Sequence, residues 1–366
     1  MPGLLKEKAR GMTKSAVGAT LLKVSLIVVG VVVLSVGASI VLTDPAPSTL
    51  PRRARHWLAD ISAKRNPPPK GIATPPLVNI PVMTVEAAGL EVRDADFVVG
   101  VELNGECRAY PLNMLSRPDH HVLNDTLGGQ LIAVTWCGLC QASVVYTRQV
   151  EGKTLTLFVS GELYGENMLM KDVETGSDWP QMLGEAVNGP LKGKSLEPIP
   201  SVWTDWKTWR TEHPDTTVLK LPQTIDYYRH SPASSASSFE KRYFSALQWG
   251  IVRGGRALSW PLKEFAQQPV INDTFAGLPL VIIFESESAT ITAFERRVGD
   301  TELTFRLEEG GLIDGQTSSV WDPVTGRAIR GKFAGRRLTP VTGIVSHLRA
   351  WRTLHPETEI HTAHPG

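Results

Sequence analysis

The chain repeats itself once, and that repetition limits what it can fold into. Residues Gly100 to Leu219 reappear, diverged, as Gly250 to Ile360. Ala109-Tyr110-Pro111-Leu112 answers Ser259-Trp260-Pro261-Leu262, Asn124-Asp125-Thr126 answers Asn272-Asp273-Thr274, and Arg148 answers Arg296 or Arg297. Further on, Trp179 matches Trp321, Gly189 matches Gly331, and Trp209 and His213-Pro214 match Trp351 and His355-Pro356, all at one shared offset. A period of about 150 residues is domain-sized and rules out a solenoid, so two tandem copies of one unit are expected.

The two copies act as controls for each other. What both keep is read as scaffold: the Asn-Asp pair, the tryptophans, the glycines and the terminal Trp/His-Pro helix. What only the first has is read as function. Val134-Thr135-Trp136-Cys137-Gly138-Leu139-Cys140-Gln141-Ala142 holds two of the three cysteines, and Glu285-Ser286-Glu287-Ser288 stands in their place later. Gln268-Pro269 replaces His120-His121, and much of Ser160-Gly161-Glu162-Leu163-Tyr164 has no counterpart.

Gly 32 and Pro 26 imply many turns and favour strands over a helical bundle. Phe97 to Tyr110 alternates around Asn104-Gly105, a hairpin signal. Leu112 to Leu115 reads as a short helix. Leu131 to Cys137, Ala142 to Val150 and Lys153 to Ser160 read as strands, the last two joined at Glu151-Gly152. Val202 to His213 has helical spacing and ends before Pro214. The expected fold class is α+β and β-rich, in two diverged copies preceded by one transmembrane helix.

Val24 to Leu42 is uncharged and mostly apolar over nineteen residues, long enough for a helix to cross a bilayer. Lys6, Lys8, Arg10, Lys14 and Lys23 precede it and place the N-terminus in the cytoplasm. The expected order is a cytoplasmic segment 1–23, a membrane anchor 24–42, a Pro-rich stalk 43–77, a first unit 78–219, an exposed linker 220–249 and a second unit 250–366. Residues 45–366 then lie outside the cytoplasm, where disulfides persist. Lys and Arg (38) nearly balance Asp and Glu (37), so there is no basic footprint for nucleic acid. The membrane is the one partner the sequence names; a protein or small-molecule partner is not identified.

His120-His121-Val122-Leu123-Asn124-Asp125, then Trp136-Cys137-Gly138-Leu139-Cys140, Ser160-Gly161-Glu162-Leu163-Tyr164 and Trp179-Pro180-Gln181-Met182-Leu183-Gly184-Glu185-Ala186 resemble the DUF3179 family of bacterial and archaeal proteins. The resemblance spans about 95–220 and is weaker in the second copy. It implies no activity, since the family is named for having none assigned. Gly138 stands where a proline is expected and His121 where an acidic residue is.

Three readings of the C-x-x-C pair stay open. As a soft-metal site, Cys137 and Cys140 would be joined by His120 and Met170, a set suited to copper, iron or zinc. As a thiol oxidoreductase, one cysteine would have its pKa lowered by His120 or Arg148. As a structural disulfide, the pair would belong to a non-catalytic binding or assembly module. The alternating strand after Gln141 argues against a thioredoxin fold, where such a pair opens a helix. Cys107 reads as an incidental thiol, Asn124-Asp125-Thr126 as a turn or cap, and His213 and His355 as structural. Tyr164 and Asp172 read as pocket lining or as core and turn residues. The sequence lacks the usual motifs of nucleotide hydrolysis, dinucleotide redox chemistry and serine hydrolysis.

Overall fold

Gly100 sets the packing of the first copy. A methyl group on it would lie 2.2 Å from the ring of Trp209, so this strand and the Trp-bearing helix meet only because the side chain is absent. Gly250 repeats the contact, with Trp351 2.6 Å from the same position. The structure, a computed structural model, describes residues 73–223, 228–229, 246–308 and 311–362. The expected cytoplasmic segment, the anchor, most of the stalk and most of the linker lie outside them. Among the described residues no helix is long and apolar enough to cross a membrane.

The fold is β-rich with few helices, and its elements recur in order. In the first copy β1 (Phe97–Leu103) and β2 (Glu106–Pro111) form a hairpin, followed by α1 (Leu112–Leu115). The turn is Asn104-Gly105, both at positive φ (52° and 84°), as the two-residue signal requires. A meander follows, made of β3 (Val122–Leu127), β4 (Gln130–Cys137) and β5 (Ala142–Thr147). A small sheet comes next, β6 (Leu157–Tyr164), β7 (Asn167–Asp172) and β8 (Asp178–Pro180). The copy ends with β9 (Val202–Asp205), α2 (Trp206–Glu212) and β10 (Thr217–Leu219).

The second copy repeats this with β11 (Leu247–Arg253), β12 (Arg256–Pro261), β13 (Val270–Phe275), β14 (Leu278–Glu285) and β15 (Thr290–Glu295). Its small sheet is β16 (Phe305–Glu308), β17 (Gly311–Asp314) and β18 (Val320–Trp321). It closes with β19 (Ile344–His347), α3 (Leu348–Leu354) and β20 (Glu359–Ile360).

The copies are interleaved. The first copy's sheet β10-β2-β1-β9 continues, through Trp203 opposite Ile291, into the second copy's β15-β14-β13. The second copy's sheet β20-β12-β11-β19 in turn lies against the first copy's meander β5-β4-β3, where the His347 amide donates to the Cys140 carbonyl at 2.8 Å. Each copy therefore satisfies backbone groups of the other, which a separate domain would leave at an open edge.

Shared side chains perform the same tasks twice. Asp172 accepts from the Trp179 indole at 2.9 Å and from the Ser177 amide, and Asp314 does so from Trp321 and Ser319. Arg148 reaches the Leu155 carbonyl and Arg296 the Leu303 carbonyl, so Arg296, not Arg297, is the counterpart. Asn124 pairs side chain to backbone with Leu157, and Asn272 with Phe305, so both belong to strands and the expected turn role is corrected.

Two further expectations change. Val202 to Asp205 is strand, and the helix starts at Trp206, with Asp205 capping it by accepting from the Thr208 amide. The linker also returns to the core at Tyr228, which is buried.

Gly100→Ala is expected to cost about 3 kcal/mol of unfolding free energy, since the Trp209 ring has to move. Gly105→Ala, which meets only its own positive φ in open space, is expected to cost about 1 kcal/mol. Urea unfolding of both variants checks the ranking.

Candidate functional site

The site is the turn between β4 and β5. The two strands pair to their ends, Cys137 opposite Ala142, and Gln141 adopts φ +52° to bring the chain back. This places Cys137 and Cys140 with Cα atoms 5.4 Å apart and their sulfurs joined. Both cysteines are buried, while Leu139 between them is 59% exposed.

The second copy builds the same turn without sulfur. Ala289, the counterpart of Gln141, has φ +51°. Glu285, the counterpart of Cys137, accepts from the Glu287 amide, the Ser288 amide and the Ser288 hydroxyl. A carboxylate and three donors thus close one turn, and a disulfide closes the other. Turn geometry alone does not call for the cysteines.

Two N–H groups point at the sulfurs. The Cys140 amide donates to Cys137 Sγ at 3.3 Å, and Asn167 Nδ2 donates to Cys140 Sγ at 3.1 Å. Asn167 also donates to Gln181 Oε1 and accepts from the Met182 amide. Gln181 Nε2 donates to Thr135 Oγ1 and to the Ala142 carbonyl, and Thr135 Oγ1 donates to the Val144 carbonyl. Thr135, Asn167 and Gln181 are all fully buried. A buried network in which each amide is satisfied is rigid, and it fixes Asn167 against Cys140. In the second copy Ile283 and Pro323 replace Thr135 and Gln181.

Of the expected site residues, Cys137, Cys140 and Met170 share one core cluster. His120 turns its Nδ1 to the Met114 carbonyl at 2.7 Å. His121 is the histidine beside the turn: its carbonyl accepts from the Trp136 amide, and its Nε2 borders Gly138. Burial pushes the His121 pKa down to about 4, against a hydrogen bond to the Ser116 backbone that raises it, so the ring is neutral at pH 7. Arg148 is engaged with backbone carbonyls. Sequence reasoning passed over Asn167, Gln181, Gln141 and Tyr228. The Gln181-to-Pro323 exchange within a matched motif was the available signal for one of them; Tyr228 had none.

Among the described residues a second group brings metal-ligand atoms together. Glu102, Cys107 and His213 offer atoms within 4.8 Å of one another, with Cys107 Sγ 3.3 Å from His213 Nδ1. Their counterparts are Val252, Ala257 and His355, so this trio too is confined to the first copy. Arg337 of the second copy holds both Glu102 oxygens, at 2.7 and 2.5 Å, and a cation here would have to displace it. Cys107, expected as an incidental thiol, has His213 as its partner.

The family model described as protein of unknown function (DUF3179) matches residues 73–248 and again 248–366. No curated protein and no solved structure matches the chain.

Burial, with the Glu102 charge adding to it, pushes the Cys107 thiol up to about 11. Its thiolate is therefore scarce at pH 8 and grows as pH rises toward 11. Iodoacetamide is expected to alkylate Cys107 at pH 8 roughly 100-fold more slowly than an unperturbed thiol, a rate that mass spectrometry of the folded chain measures.

Proposed function

The chain belongs to the DUF3179 family, whose description names no activity, and from the site itself we propose that Cys137 and Cys140 form a thiol–disulfide redox couple. One observation carries this reading: two N–H donors are aimed at the sulfurs of a turn that the second copy closes without them. A disulfide sulfur is a weak acceptor, whereas a thiolate is a strong one, so such donors favour the reduced state.

The magnitude argues the same way. Closing a loop this short removes little chain entropy, and the bridge contributes about 2 kcal/mol. That is comparable to what a carboxylate cap with three donors supplies, so stability alone gives no reason to keep two cysteines. Reduction consumes two electrons and two protons and yields two thiols; oxidation returns them to an acceptor. Because both sulfurs are buried, the partner is a small thiol or disulfide, or one admitted by movement of the Gly138-Leu139 turn. The reading keeps the anchor at 24–42 and an oxidising compartment for residues 45–366, since such a couple cycles where disulfides form.

A soft-metal site is the second reading, favoured by the burial of Met170 in the same core cluster as the pair. It needs the pair reduced first, and it draws on two thiolates and a thioether, a set suited to Cu(I). With His120 held at the Met114 carbonyl, the sulfur atoms would carry the binding.

Reduction is expected to leave the folded state intact and to lower its unfolding free energy by about 2 kcal/mol. Near-UV circular dichroism and urea unfolding of the reduced chain measure this. Unfolding on reduction would reverse the reading and make the bridge structural.

A further inference from the structure

Glu102, Cys107 and His213 lie far apart in sequence, and the fold brings them to one point. Glu102 on β1 and Cys107 on β2 stand directly opposite each other in the hairpin, so their side chains share one face of it. His213 follows α2: its amide donates to the Trp209 carbonyl, and its ring lies on the Trp209 ring with centroids 4.0 Å apart. The ring meets the thiol, with Cys107 Sγ 3.3 Å from His213 Nδ1, and a Glu102 carboxylate oxygen lies within 4.8 Å of both. Around a tetrahedral zinc ion, a thiolate sulfur and an imidazole nitrogen stand about 3.6 Å apart, given the usual bond lengths. The three groups are spaced for one small ion.

The second copy shows which part of this is scaffold. His355 lies on Trp351 in the same way, centroids 4.3 Å apart, with Val252 and Ala257 at the positions of Glu102 and Cys107. The Trp–His stack therefore needs neither a carboxylate nor a thiol. Charge favours a cation independently of the ligand set. Among the described residues, Asp215 lies within electrostatic reach of Cys107, Asp322 of His213, and Glu102 of both, against the single guanidinium of Arg337. Arg337 holds both Glu102 oxygens through a pair that is partly open to solvent, the side chains being 44% and 32% exposed. Such pairs contribute little and yield to a stronger ligand, and the same exposure admits an ion from solvent. Arg337 keeps a second anchor when Glu102 turns away, since its Nε donates to the Thr325 carbonyl at 2.9 Å.

We propose that Glu102, Cys107 and His213 bind a zinc ion through a carboxylate oxygen, Sγ and Nδ1, with water at the fourth position. The Cys107 thiol gives its proton to solvent as its sulfur bonds the ion, and Arg337 releases Glu102. One thiolate, one imidazole and one carboxylate suit zinc better than calcium or magnesium, which take oxygen ligands, and better than Cu(I), which prefers sulfur. Because Arg337 belongs to the second copy, the ion exchanges an ionic contact between the copies for a bond within the first. The inference is independent of the redox reading, since the sulfurs of Cys137 and Cys140 take no part.

The test titrates zinc, and cobalt(II) as its spectroscopic stand-in, into the metal-free full chain with the Cys137–Cys140 bridge oxidised. One zinc per chain is expected, and a thiolate-to-cobalt absorption band in the cobalt complex. Cys107→Ala and Glu102→Val follow the second copy's residues at these positions, and His213→Phe keeps a ring on Trp209. Cys107→Ala is expected to lose the band, and all three variants to bind zinc at least tenfold more weakly. Arg337→Gln frees Glu102 and is expected to bind zinc severalfold more tightly, a gain that misfolding cannot produce. Zinc bound equally well by the parent chain and Cys107→Ala would overturn the site. So would the absence of binding in both the parent chain and Arg337→Gln.

Discussion

The exchange of sheet edges between the two copies is the constraint from which the rest follows. Trp203 pairs with Ile291 to join one sheet across the copies, and the His347 amide caps the Cys140 carbonyl from the other side. The turn that carries the cysteines is thereby fixed by a residue about two hundred positions away in sequence. This explains why a second copy without cysteines is part of the molecule. It supplies edges that the first copy lacks, and an unpaired strand edge is both costly and adhesive. Arg337 on Glu102 adds an ionic contact between the copies.

With the scaffold fixed twice over, the differences between copies become interpretable. Asp172 and Asp314, Arg148 and Arg296, Asn124 and Asn272 hold the same backbone groups in both halves, and they are framework. Thr135, Asn167 and Gln181 bury polar atoms where the second copy has Ile283 and Pro323 for two of them. Buried amides contribute only modestly when each is paired and are costly when one is not, so their presence points to what they contact. What Asn167 contacts is a cysteine sulfur.

Much of this architecture was legible in the sequence because its signals are local. Asn104-Gly105 and Glu151-Gly152 mark turns by the positive φ that those residues tolerate, and both turns are present. The duplication singles out Cys137 and Cys140 as a local difference between the copies, with Glu285 and Ser288 in their place. The readings that changed depend on contacts remote in the chain. Val202 to Asp205 has helical spacing, yet pairing with β1 makes it a strand, and Asp205 starts the helix only at Trp206. His120 and His121 are adjacent, and only the fold decides that the second one faces Gly138. Tyr228 sits in a polar linker whose composition says loop, and it is drawn inward by Trp136, Asn113 and Gln141.

The central claim is that the Cys137–Cys140 bridge is there for its chemistry and not as a staple. Redox titration of the folded chain against a series of thiol–disulfide buffers measures this directly, as the midpoint potential of the pair. The account expects a midpoint between about −270 and −120 mV, the range of dithiols that exchange with cellular thiol pools. A midpoint below about −300 mV, where structural disulfides of secreted proteins lie, would contradict it.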